Sequence, residues 1–303
     1  MRFTIIIVHR NGSNRLEALV TTAINVMSPH DEIIIVDNAS TDQSITHIAK
    51  IFPKIRIIKN NFNLGYGHAA NQGMNIGKGK YFLICNNDIT LPINILTELE
   101  NLFEKEPKAG IISGQQTNFD GEIIRTSSRK PSLLSEFDGV ARIDHSKDPL
   151  KISEVGILRG ACLGVNKIMV DEIGGYDEDF FFYFEDTEWC IRANRSGWKV
   201  FLHPKIKIPH LSGASTREFF KESRIEFYRS RMKFWEKIFP KSIVTLLYLW
   251  NIPKLFLDLI LYTFIVIITF GQSERLKKKM IDRCIVLLWL ALAKPNSWGL
   301  PKN

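Results

Sequence analysis

Four runs of mainly β-branched and other apolar residues recur in the first third of the chain. They are Phe3–Val8, Glu32–Val36, Ile55–Ile58 and Tyr81–Cys85. Between them lie segments of helix length in which polar and apolar residues mix. Strands that alternate with helices in this way pair in parallel, and the helices cover both faces of the sheet. The sequence therefore predicts an α/β domain with a mostly parallel sheet.

A polar segment rich in Asn, Asp or Gly follows each of the four runs. These segments are His9–Gly12, Asp37–Asp42, Asn61–Gly65 and Asn86–Asp88. Ligands of parallel sheets bind at the carboxyl ends of the strands. One such segment could be ordinary turn chemistry, but four at the same edge of one sheet predict a binding site.

A run of aromatic residues, Phe180–Phe184, ends in two adjacent carboxylates, Glu185 and Asp186. The pattern of Thr187–Ser196 predicts a helix, so the two carboxylates lie at a loop-to-helix junction. Dry, aromatic surroundings raise the pKa of a carboxyl and favour general-base chemistry, whereas a helix N-terminus favours the ionised form. The alternative is that Asp186 only caps the helix.

Seven segments occur in order between about residue 3 and residue 215: IIIVHRNG, EIIIVDNASTDQS, NFNLGYGHAANQGM, YFLICNND, RGACLGV, GGYDEDFFFYFEDTEWCIRANRSGW and PHLSGAS. Through them the chain resembles the family 2 inverting nucleotide-sugar glycosyltransferases with the GT-A fold, in particular the bacterial rhamnosyltransferase-like branch. The resemblance implies a Rossmann-like sheet. It also implies transfer of a sugar from a nucleoside diphosphate donor to an acceptor hydroxyl, with inversion at the anomeric carbon.

The resemblance also places the donor. Asp37 directly follows its strand, where a carboxylate can accept hydrogen bonds from a pyrimidine or ribose, and the matching family residue contacts the base. The segment from Asn63 to Asn71 resembles the loop that frames the nucleotide, and its two glycines would let the backbone approach a ligand. Arg10 stands where relatives often carry an aromatic residue, so phosphate contact is the alternative to base stacking. The expected donor-binding residues are Arg10, Asn11, Asp37, Asn38, Asn63, Gly65, Gly67, Asn71 and Asn87.

Asn86-Asn87-Asp88 occupies the place of the family's DxD-type metal motif, and only Asp88 keeps a carboxylate. Mg²⁺ and Mn²⁺ take oxygen ligands, and one or two protein carboxylates can suffice beside phosphate oxygens and water. His210 matches a family position that reaches the metal or the phosphates; the alternative is a structural histidine. The resemblance puts the catalytic base at Asp186, with Glu185 helping to orient the acceptor.

The net charge of +8 is concentrated towards the C-terminus. Basic and aromatic residues interleave over Arg217–Lys241, Ser242–Phe270 is strongly apolar, and Ile281–Ala293 is a second apolar segment after the basic break Arg275–Lys279. No nucleic-acid-binding motif accompanies the basic residues, so nucleic acid is not an expected partner.

A bilayer-spanning helix needs about 20 apolar residues. Leu255–Phe270 is shorter and contains Asp258. Helices lying in the interface of an anionic membrane fit better. The alternatives are a buried helical hairpin, a dimer contact in a homo-oligomer, or spanning by Ser242–Phe270.

The predicted organisation is a GT-A domain over residues 1–215, with a nucleotide-sugar half (1–115) and an acceptor half (116–215), followed by a membrane-associating helical tail (216–303). Residues Phe119–Asp148 and the aromatic run are expected to face the acceptor. Four scattered cysteines predict reduced thiols, and no signal peptide is apparent, so the expected location is the cytoplasmic face of the plasma membrane.

The expected task is to add one sugar, rhamnose from dTDP-rhamnose or a hexose from a UDP-hexose, to a lipid-linked saccharide during assembly of a cell-surface polysaccharide such as O-antigen. Two other classes remain open. A nucleotidyltransferase shares a similar sheet but would need a glycine-rich basic loop, which Asn11–Asn14 does not provide. The presence of Asp37, Asp88 and Asp186 together argues against a non-catalytic nucleotide-sugar-binding module.

Overall fold

A computed structural model describes residues 2–138, 151–211 and 219–301 of the protein. Within them, residues 2–130 and 151–211 form one compact unit, and residues 131–138 and 219–301 form another. Residues 131–138, which the sequence places in the acceptor half, therefore belong to the second unit. The predicted domain boundary at residue 215 lies outside the described residues, as do residues 139–148 of the segment expected to face the acceptor.

The strands of the first unit are β1 (Phe3–His9), β2 (Glu32–Asp37), β3 (Arg56–Lys59), β4 (Tyr81–Asn86), β5 (Ala109–Thr117), β6 (Ser127–Ser128), β7 (Ser153–Glu154), β8 (Ile157–Leu158), β9 (Cys162–Asn166) and β10 (Lys199–Pro209). In the described part of the chain, eight of them form one sheet in the order β3-β2-β1-β4-β9-β5-β10-β7. β6 and β8 pair in a separate ribbon. The four strands predicted from the sequence are all present and run parallel to one another.

The helices are α1 (Ser13–Val26), α2 (Ser44–Ile51), α3 (Tyr66–Ile76), α4 (Ile95–Lys105), α5 (Leu133–Asp138), α6 (Lys167–Ile173), α7 (Glu185–Arg195), α8 (Phe220–Ile238), α9 (Lys241–Ile268) and α10 (Glu274–Ala291). A short 3-10 turn covers Asn296–Trp298. Helices α5, α8, α9 and α10 belong to the second unit.

Both faces of the sheet are buried, as the continuous apolar runs predict. Successive side chains of a strand point to opposite faces. Ile5 therefore packs in one core with Leu16 of α1, while Ile6 packs in a second core with Ala70 of α3 and Trp189 of α7. This confirms the predicted α/β class with helices on both faces.

β9 is an antiparallel strand inserted between β4 and β5, which the sequence did not indicate. Because it runs the opposite way, its beginning lies at the carboxyl end of β4, and the N–H of Asn86 donates to the carbonyl of Ala161 (2.9 Å). β9 thus delivers the residues just before it to the edge where ligands of such sheets bind. The pairing also opposes Cys85 and Cys162, whose thiols are free and 4.0 Å apart.

Arginines of α8 are used inside the second unit. Glu136 of α5 accepts hydrogen bonds from Arg231 (3.3 Å) and from the indole N–H of Trp235 (2.9 Å). Arg224 forms an ion pair with buried Asp282 of α10. A buried carboxylate needs such partners because an uncompensated charge is costly away from water. These arginines therefore stabilise the unit.

α9 is one continuous helix of 28 residues that passes through Pro253. It is long and apolar enough to cross a membrane, and 6% of its most apolar window is buried. The helix therefore covers most of the apolar segment Ser242–Phe270 and is longer than Leu255–Phe270, the stretch that is too short to span a bilayer. Large side chains on one side of α9 are more than half exposed: Leu249, Phe256, Leu257, Ile260, Phe264 and Ile267.

Candidate active site

The loops after β1 and β2 are fastened to each other. The N–H of Asn11 donates to the hydroxyl of Ser40 (2.9 Å), and Asn11 Oδ1 accepts from the N–H of Thr41 (2.8 Å). Asn11 has a φ of +55°, a conformation that asparagine tolerates better than most residues. Its amide oxygen therefore accepts a hydrogen bond from the protein, and donor contact by Asn11 stays a prediction.

Asn38 and Asn63 hold the loop after β3 in place. Asn38 Nδ2 donates to Asn63 Oδ1 (2.7 Å) and to the carbonyl of Gly65 (3.1 Å), while Asn38 Oδ1 accepts from the N–H of Leu64 (2.9 Å). Both ends of the Asn38 amide are thus used within the protein. Asp37 differs, because only its Oδ1 is hydrogen-bonded in the described residues, to the N–H of Ser40 (3.1 Å). Asp37 Oδ2 is the oxygen left for a ligand.

The space beside the two predicted loop glycines is filled by two aromatic residues of the protein, Phe181 and Tyr176. A Cβ on Gly65, whose φ is +92°, would lie 2.4 Å from the carbonyl oxygen of Phe181, and one on Gly67 would lie 2.9 Å from Tyr176 Cβ. Asn71 binds both the carbonyl and the N–H of Tyr176 (2.9 Å each). The Cβ side of both glycines therefore faces another segment of the protein, and ligand contact by Gly65, Gly67 and Asn71 stays a prediction.

Asn87 joins the loops after β1 and β4 through a buried histidine. Asn87 Nδ2 donates to His9 Nδ1 (2.8 Å) and to the carbonyl of Asn11 (3.0 Å). His9 Nε2 then carries the hydrogen and donates to the hydroxyl of Ser44 (2.7 Å). Burial lowers the pKa of His9 from 6.5 to about 4, although Asp37 and Asp42 act in the opposite direction. His9 is therefore neutral at physiological pH.

This neutral histidine predicts a stability loss in acid. Between pH 6.5 and pH 4 the unfolded chain takes up a proton on His9 while the folded chain does not, so the free energy of unfolding falls by about 3 kcal/mol. We expect His9→Gln, which cannot titrate, to remove that part of the pH dependence. Urea unfolding at about pH 7.5, 5.5 and 4.5 measures it. If the free energy of unfolding fell with pH equally steeply in the wild type and the variant, His9 would not be the group responsible.

Asp88 and His210 meet, as the sequence predicted for the metal site. Asp88 Oδ1 lies 3.3 Å from His210 Nε2, and both side chains are largely buried. Gln116 of β5 fixes the ring, because its Oε1 faces His210 Nδ1 (2.9 Å) while its Nε2 donates to the carbonyl of Arg159 (3.2 Å). His210 Nδ1 therefore carries the hydrogen. In the neutral ring, a lone pair on Nε2 then faces the carboxylate.

Two acceptor atoms so close need a cation or a proton between them, and a divalent metal fits this pair of ligands. Within residues 2–138, 151–211 and 219–301, no three His, Cys, Asp or Glu side chains cluster in a way that could hold a metal ion. A bound metal would thus depend on Asp88, His210, phosphate oxygens and water. The nitrogen ligand favours Mn²⁺ over Mg²⁺, which takes oxygen ligands.

Glu185 and Asp186 are the first two residues of α7, and Phe184, with a φ of +68°, occupies the N-cap position. Asp186 therefore does not cap the helix. Its Oδ2 accepts from the N–H of Gly160 (2.9 Å), and its Oδ1 accepts from the hydroxyl of Thr187 (3.1 Å). Burial raises the pKa of Asp186 above its usual value, and these hydrogen bonds and Arg159 offset part of the rise. A raised pKa suits a general base, because the carboxylate then binds the proton that it removes more strongly.

A chain of contacts runs from Asp88 to Asp186. It passes through His210 and Gln116 to the carbonyl of Arg159, and the next N–H, that of Gly160, binds Asp186. Both ends were predicted from the sequence, whereas Gln116, Arg159 and Gly160 were missed. The segment RGACLGV was the available signal for the last two, but Gln116 belongs to no motif that the sequence offered.

Known proteins resemble this chain in sequence and in fold. The model of the family described as glycosyl transferase family 2 matches residues 4–165. An N-acetylglucosaminyl-diphospho-decaprenol L-rhamnosyltransferase of Mycobacterium tuberculosis is 25% identical over 209 residues, which cover 61% of this chain and 67% of that protein. A low-salt glycan biosynthesis hexosyltransferase of Haloferax volcanii is 22% identical over 229 residues, covering 70% and 69% of the two chains.

Solved glycosyltransferases share the fold. A mannosyltransferase of Pyrobaculum calidifontis in complex with GDP-Man and Mn²⁺ aligns with a TM-score of 0.60 and 16% identity, covering 97% of this chain and 86% of that one. GalNAc-T7 with UDP, GalNAc and Mn²⁺ aligns with a TM-score of 0.57 and 16% identity over 69% of this chain, and the match spans 43% of the GalNAc-T7 chain. With the family model matching more than half of its residues, the chain belongs to glycosyl transferase family 2.

Proposed function

We propose that this glycosyltransferase moves one sugar, with inversion, from a nucleoside diphosphate donor to a lipid-linked saccharide. The observation that carries the proposal is the placement of Asp186, a carboxylate with a raised pKa, on the same hydrogen-bonded frame as Asp88 and His210. One end of the frame suits a diphosphate held with a divalent metal. The other end suits the removal of a proton.

The reaction is a single displacement. The acceptor oxygen attacks the anomeric carbon while its proton passes to an Asp186 oxygen, and the bond from the anomeric carbon to the diphosphate oxygen breaks. The nucleoside diphosphate leaves with the electron pair of that bond. A divalent cation bound by Asp88 and His210 would neutralise the charge that develops on the leaving diphosphate. Asp37 Oδ2 and Arg10 are the candidates for contact with the base, ribose or phosphates.

Support for the finer assignment comes from relatives. The Mycobacterium tuberculosis protein is named as a rhamnosyltransferase acting on N-acetylglucosaminyl-diphospho-decaprenol. By analogy we propose dTDP-rhamnose as the donor, with UDP-hexoses as the alternative, and a polyprenyl-diphosphate saccharide as the acceptor. The product would be an intermediate of a cell-surface polysaccharide such as O-antigen.

A donor screen tests the proposal. The full-length protein would be incubated with dTDP-rhamnose, UDP-glucose, UDP-N-acetylglucosamine or GDP-mannose, Mn²⁺, and a short polyprenyl-diphosphate N-acetylglucosamine. We expect one donor to release nucleoside diphosphate in step with a glycosylated product seen by mass spectrometry. Release of pyrophosphate would indicate a nucleotidyltransferase. Nucleotide-sugar binding without turnover would indicate a non-catalytic module.

We also propose that the second unit holds the enzyme at the cytoplasmic face of the plasma membrane as a peripheral protein. The exposed apolar side of α9 supports this, together with the basic segment Arg275–Lys279 at the start of α10. The Asp258 carboxylate of α9 pairs with Arg283 of α10 (3.1 Å), and Lys279 lies over the ring of Tyr262 (5.2 Å). If α9 crossed the bilayer, it would take these charges with it, and intramembrane charges are costly. Lying in the interface avoids that cost.

Negative charges introduced on the exposed apolar side of α9 should release the protein from anionic membranes. Burying a large apolar side chain contributes about 1.5–3 kcal/mol, so the double variant Leu257→Glu and Phe264→Glu should weaken binding to anionic liposomes by at least about 100-fold. Gln272→Glu with Ser297→Glu, two exposed positions of the same unit, is the matched control.

Liposome sedimentation measures this binding, and a wash separates the alternatives. Wild-type protein should be extracted by high salt or alkaline carbonate. Resistance to both would mean that α9 spans the bilayer. Absence of liposome binding, together with a dimer in solution that the double variant breaks, would mean that this face is a contact in a homo-oligomer.

A further inference from the structure

Gly160, whose N–H binds Asp186, is itself held by the side chains of two other elements. Its carbonyl accepts from the hydroxyl of Tyr66 on α3 (3.1 Å). The carbonyl of Arg159, in the peptide that carries the Gly160 N–H, accepts from Gln116 of β5 (3.2 Å). Gln116 also contacts the proposed metal site, whereas the proposed reaction gives Tyr66 no role. The place of the N–H that binds Asp186 therefore depends on these two side chains.

Little space is left between Gly160 and Asp186. A Cβ on Gly160 would lie 3.3 Å from Asp186 Cβ and 3.5 Å from Asp186 Oδ2. The first of these separations is tighter than an ordinary van der Waals contact, so even a methyl group at residue 160 would push the carboxylate aside. The backbone of Gly160 is therefore joined to Asp186 both by a hydrogen bond and by close packing. A shift of this backbone would move the carboxylate.

The hydroxyl of Tyr66 is rigidly placed. The N–H of Tyr66 donates to the carbonyl of Phe181 (3.1 Å), and its ring packs edge-on against Tyr176 with 5.9 Å between the ring centroids. Tyr176 packs in turn against Trp189 of α7, with centroids 4.3 Å apart. Burial raises the pKa of the Tyr66 hydroxyl well above its usual value, so the hydroxyl keeps its proton and remains a donor. A held main chain and a packed ring fix the direction in which this hydroxyl donates.

We propose that Tyr66 is a positioning residue for the catalytic base, because its hydroxyl holds Gly160 where the N–H of Gly160 fixes one oxygen of Asp186. The inference rests on the proposed function, since it takes Asp186 as the base. Asp186 Oδ2 is held by this N–H, and Oδ1 is held by the hydroxyl of Thr187. A base fixed at both oxygens is already oriented when the acceptor arrives, and a misplacement of about 1 Å can cost about 10²-fold in rate. Tyr66 needs no contact with either substrate.

Steady-state kinetics of the full-length protein test this role, with dTDP-rhamnose, Mn²⁺ and the polyprenyl-diphosphate N-acetylglucosamine. Tyr66→Phe loses one hydrogen bond between uncharged groups and should lower kcat about 3- to 10-fold, with both KM values nearly unchanged. Gly160→Ala displaces Asp186 from the other side and should lower kcat by about 10-fold or more. Tyr81→Phe is the matched control, because Tyr81 is a buried tyrosine at the opposite end of β4 from Asn86. It should behave as the wild type does.

The pH dependence of kcat supplies a readout that a purely structural role would not change. The ionisable side chains near Asp186 are those of Tyr66, Arg159, Tyr176, Glu185 and Cys190. Tyr66→Phe alters only an uncharged member of this group. The N–H of Gly160 lowers the pKa of Asp186, so loosening it should raise that pKa. The fall of the rate in acid should then move to higher pH by about 0.5–1 unit.

Nuclear magnetic resonance measures the same pKa without turnover. The protein would be labelled with ¹³C at its aspartate carboxyl groups, and the Asp186 resonance would be identified by its loss in Asp186→Asn. The pH midpoint of this resonance should rise in Tyr66→Phe and stay unchanged in Tyr81→Phe.

Three results would overturn the inference. An unchanged midpoint in Tyr66→Phe would mean that Tyr66 does not act on Asp186. A raised KM with an unchanged kcat would make Tyr66 a substrate-binding residue, and an equal loss of kcat in Tyr81→Phe would mean a general effect on the fold. Absence of any transfer by the wild type would instead refute the proposed function, and the ¹³C titration would still decide whether Tyr66 positions the carboxylate.

Discussion

Asp186→Asn is expected to lower turnover by about 10²- to 10⁴-fold, the usual contribution of general-base assistance. The asparagine oxygen can still accept the N–H of Gly160, so the local fold should persist while the basic oxygen is lost. Donor affinity should stay nearly constant, because the base acts on the acceptor. The wild-type rate should also fall in acid at a pH above the usual carboxyl range, since burial raises the pKa of Asp186. The rate of the Asp186→Asn variant should not show this fall in acid.

Rates over about pH 4–8 and donor binding by calorimetry check the expectation. Asp171→Asn, an exposed carboxylate on α6, is the control and should be fully active. Glu185→Gln should lower turnover less than Asp186→Asn does if Glu185 only orients the acceptor. An inactive Glu185→Gln beside an active Asp186→Asn would reverse the roles, and activity in both would place the base elsewhere.

Asp88→Ala is expected to abolish transfer. Asp88 supplies the one carboxylate of its motif, and a two-residue metal site that loses its charged ligand keeps only an imidazole. Asp88→Asn retains the shape without the charge and should be nearly as inactive. Because His210 would contribute a nitrogen ligand to the proposed metal site, Mn²⁺ should support faster turnover than Mg²⁺ at equal concentration.

Turnover measured against metal concentration checks this prediction, with Mn²⁺ binding followed independently by electron paramagnetic resonance. His210→Gln should raise the Mn²⁺ concentration needed for half-maximal activity. Gln116→Met, which removes the contact with His210 Nδ1, should act in the same direction but more weakly. Full activity in excess chelator would refute metal dependence, and a near-normal Asp88→Asn would refute Asp88 as the principal ligand.

The sequence was most informative about features that short, local sequence patterns determine. The four parallel strands and their polar loops follow from short-range patterns, and the family resemblance paired Asp88 with His210 across the chain. It was less informative about amide side chains. Asn38 and Asn71 are polar residues of the kind that contact ligands, yet their amide groups bond to other loops of the protein. An amide satisfied by a loop and one awaiting a ligand look identical in a sequence.

Gln116 was out of reach for a different reason. Its position depends on which residues lie opposite it in a strand far away in the chain, because the parallel register sets Gln116 beside Ile208. The sequence argument against a spanning helix used Leu255–Phe270 and counted Asp258 against it, whereas α9 continues through Pro253 and the partner of Asp258 comes from α10. Long-range pairing decided each of these features.

The single amide of Gln116 gives the site a property relevant to enzyme engineering. Its oxygen faces His210 of the proposed metal site, and its nitrogen donates to the main chain of Arg159, next to the Gly160 N–H that binds Asp186. If a donor loop or an acceptor loop were grafted from a relative, any displacement of Gln116 would therefore also move the groups at the other end of the site. A chimaera that exchanges β5, β9 and the end of β10 as one block should preserve the spacing between nucleophile and leaving group, whereas piecemeal exchange should not.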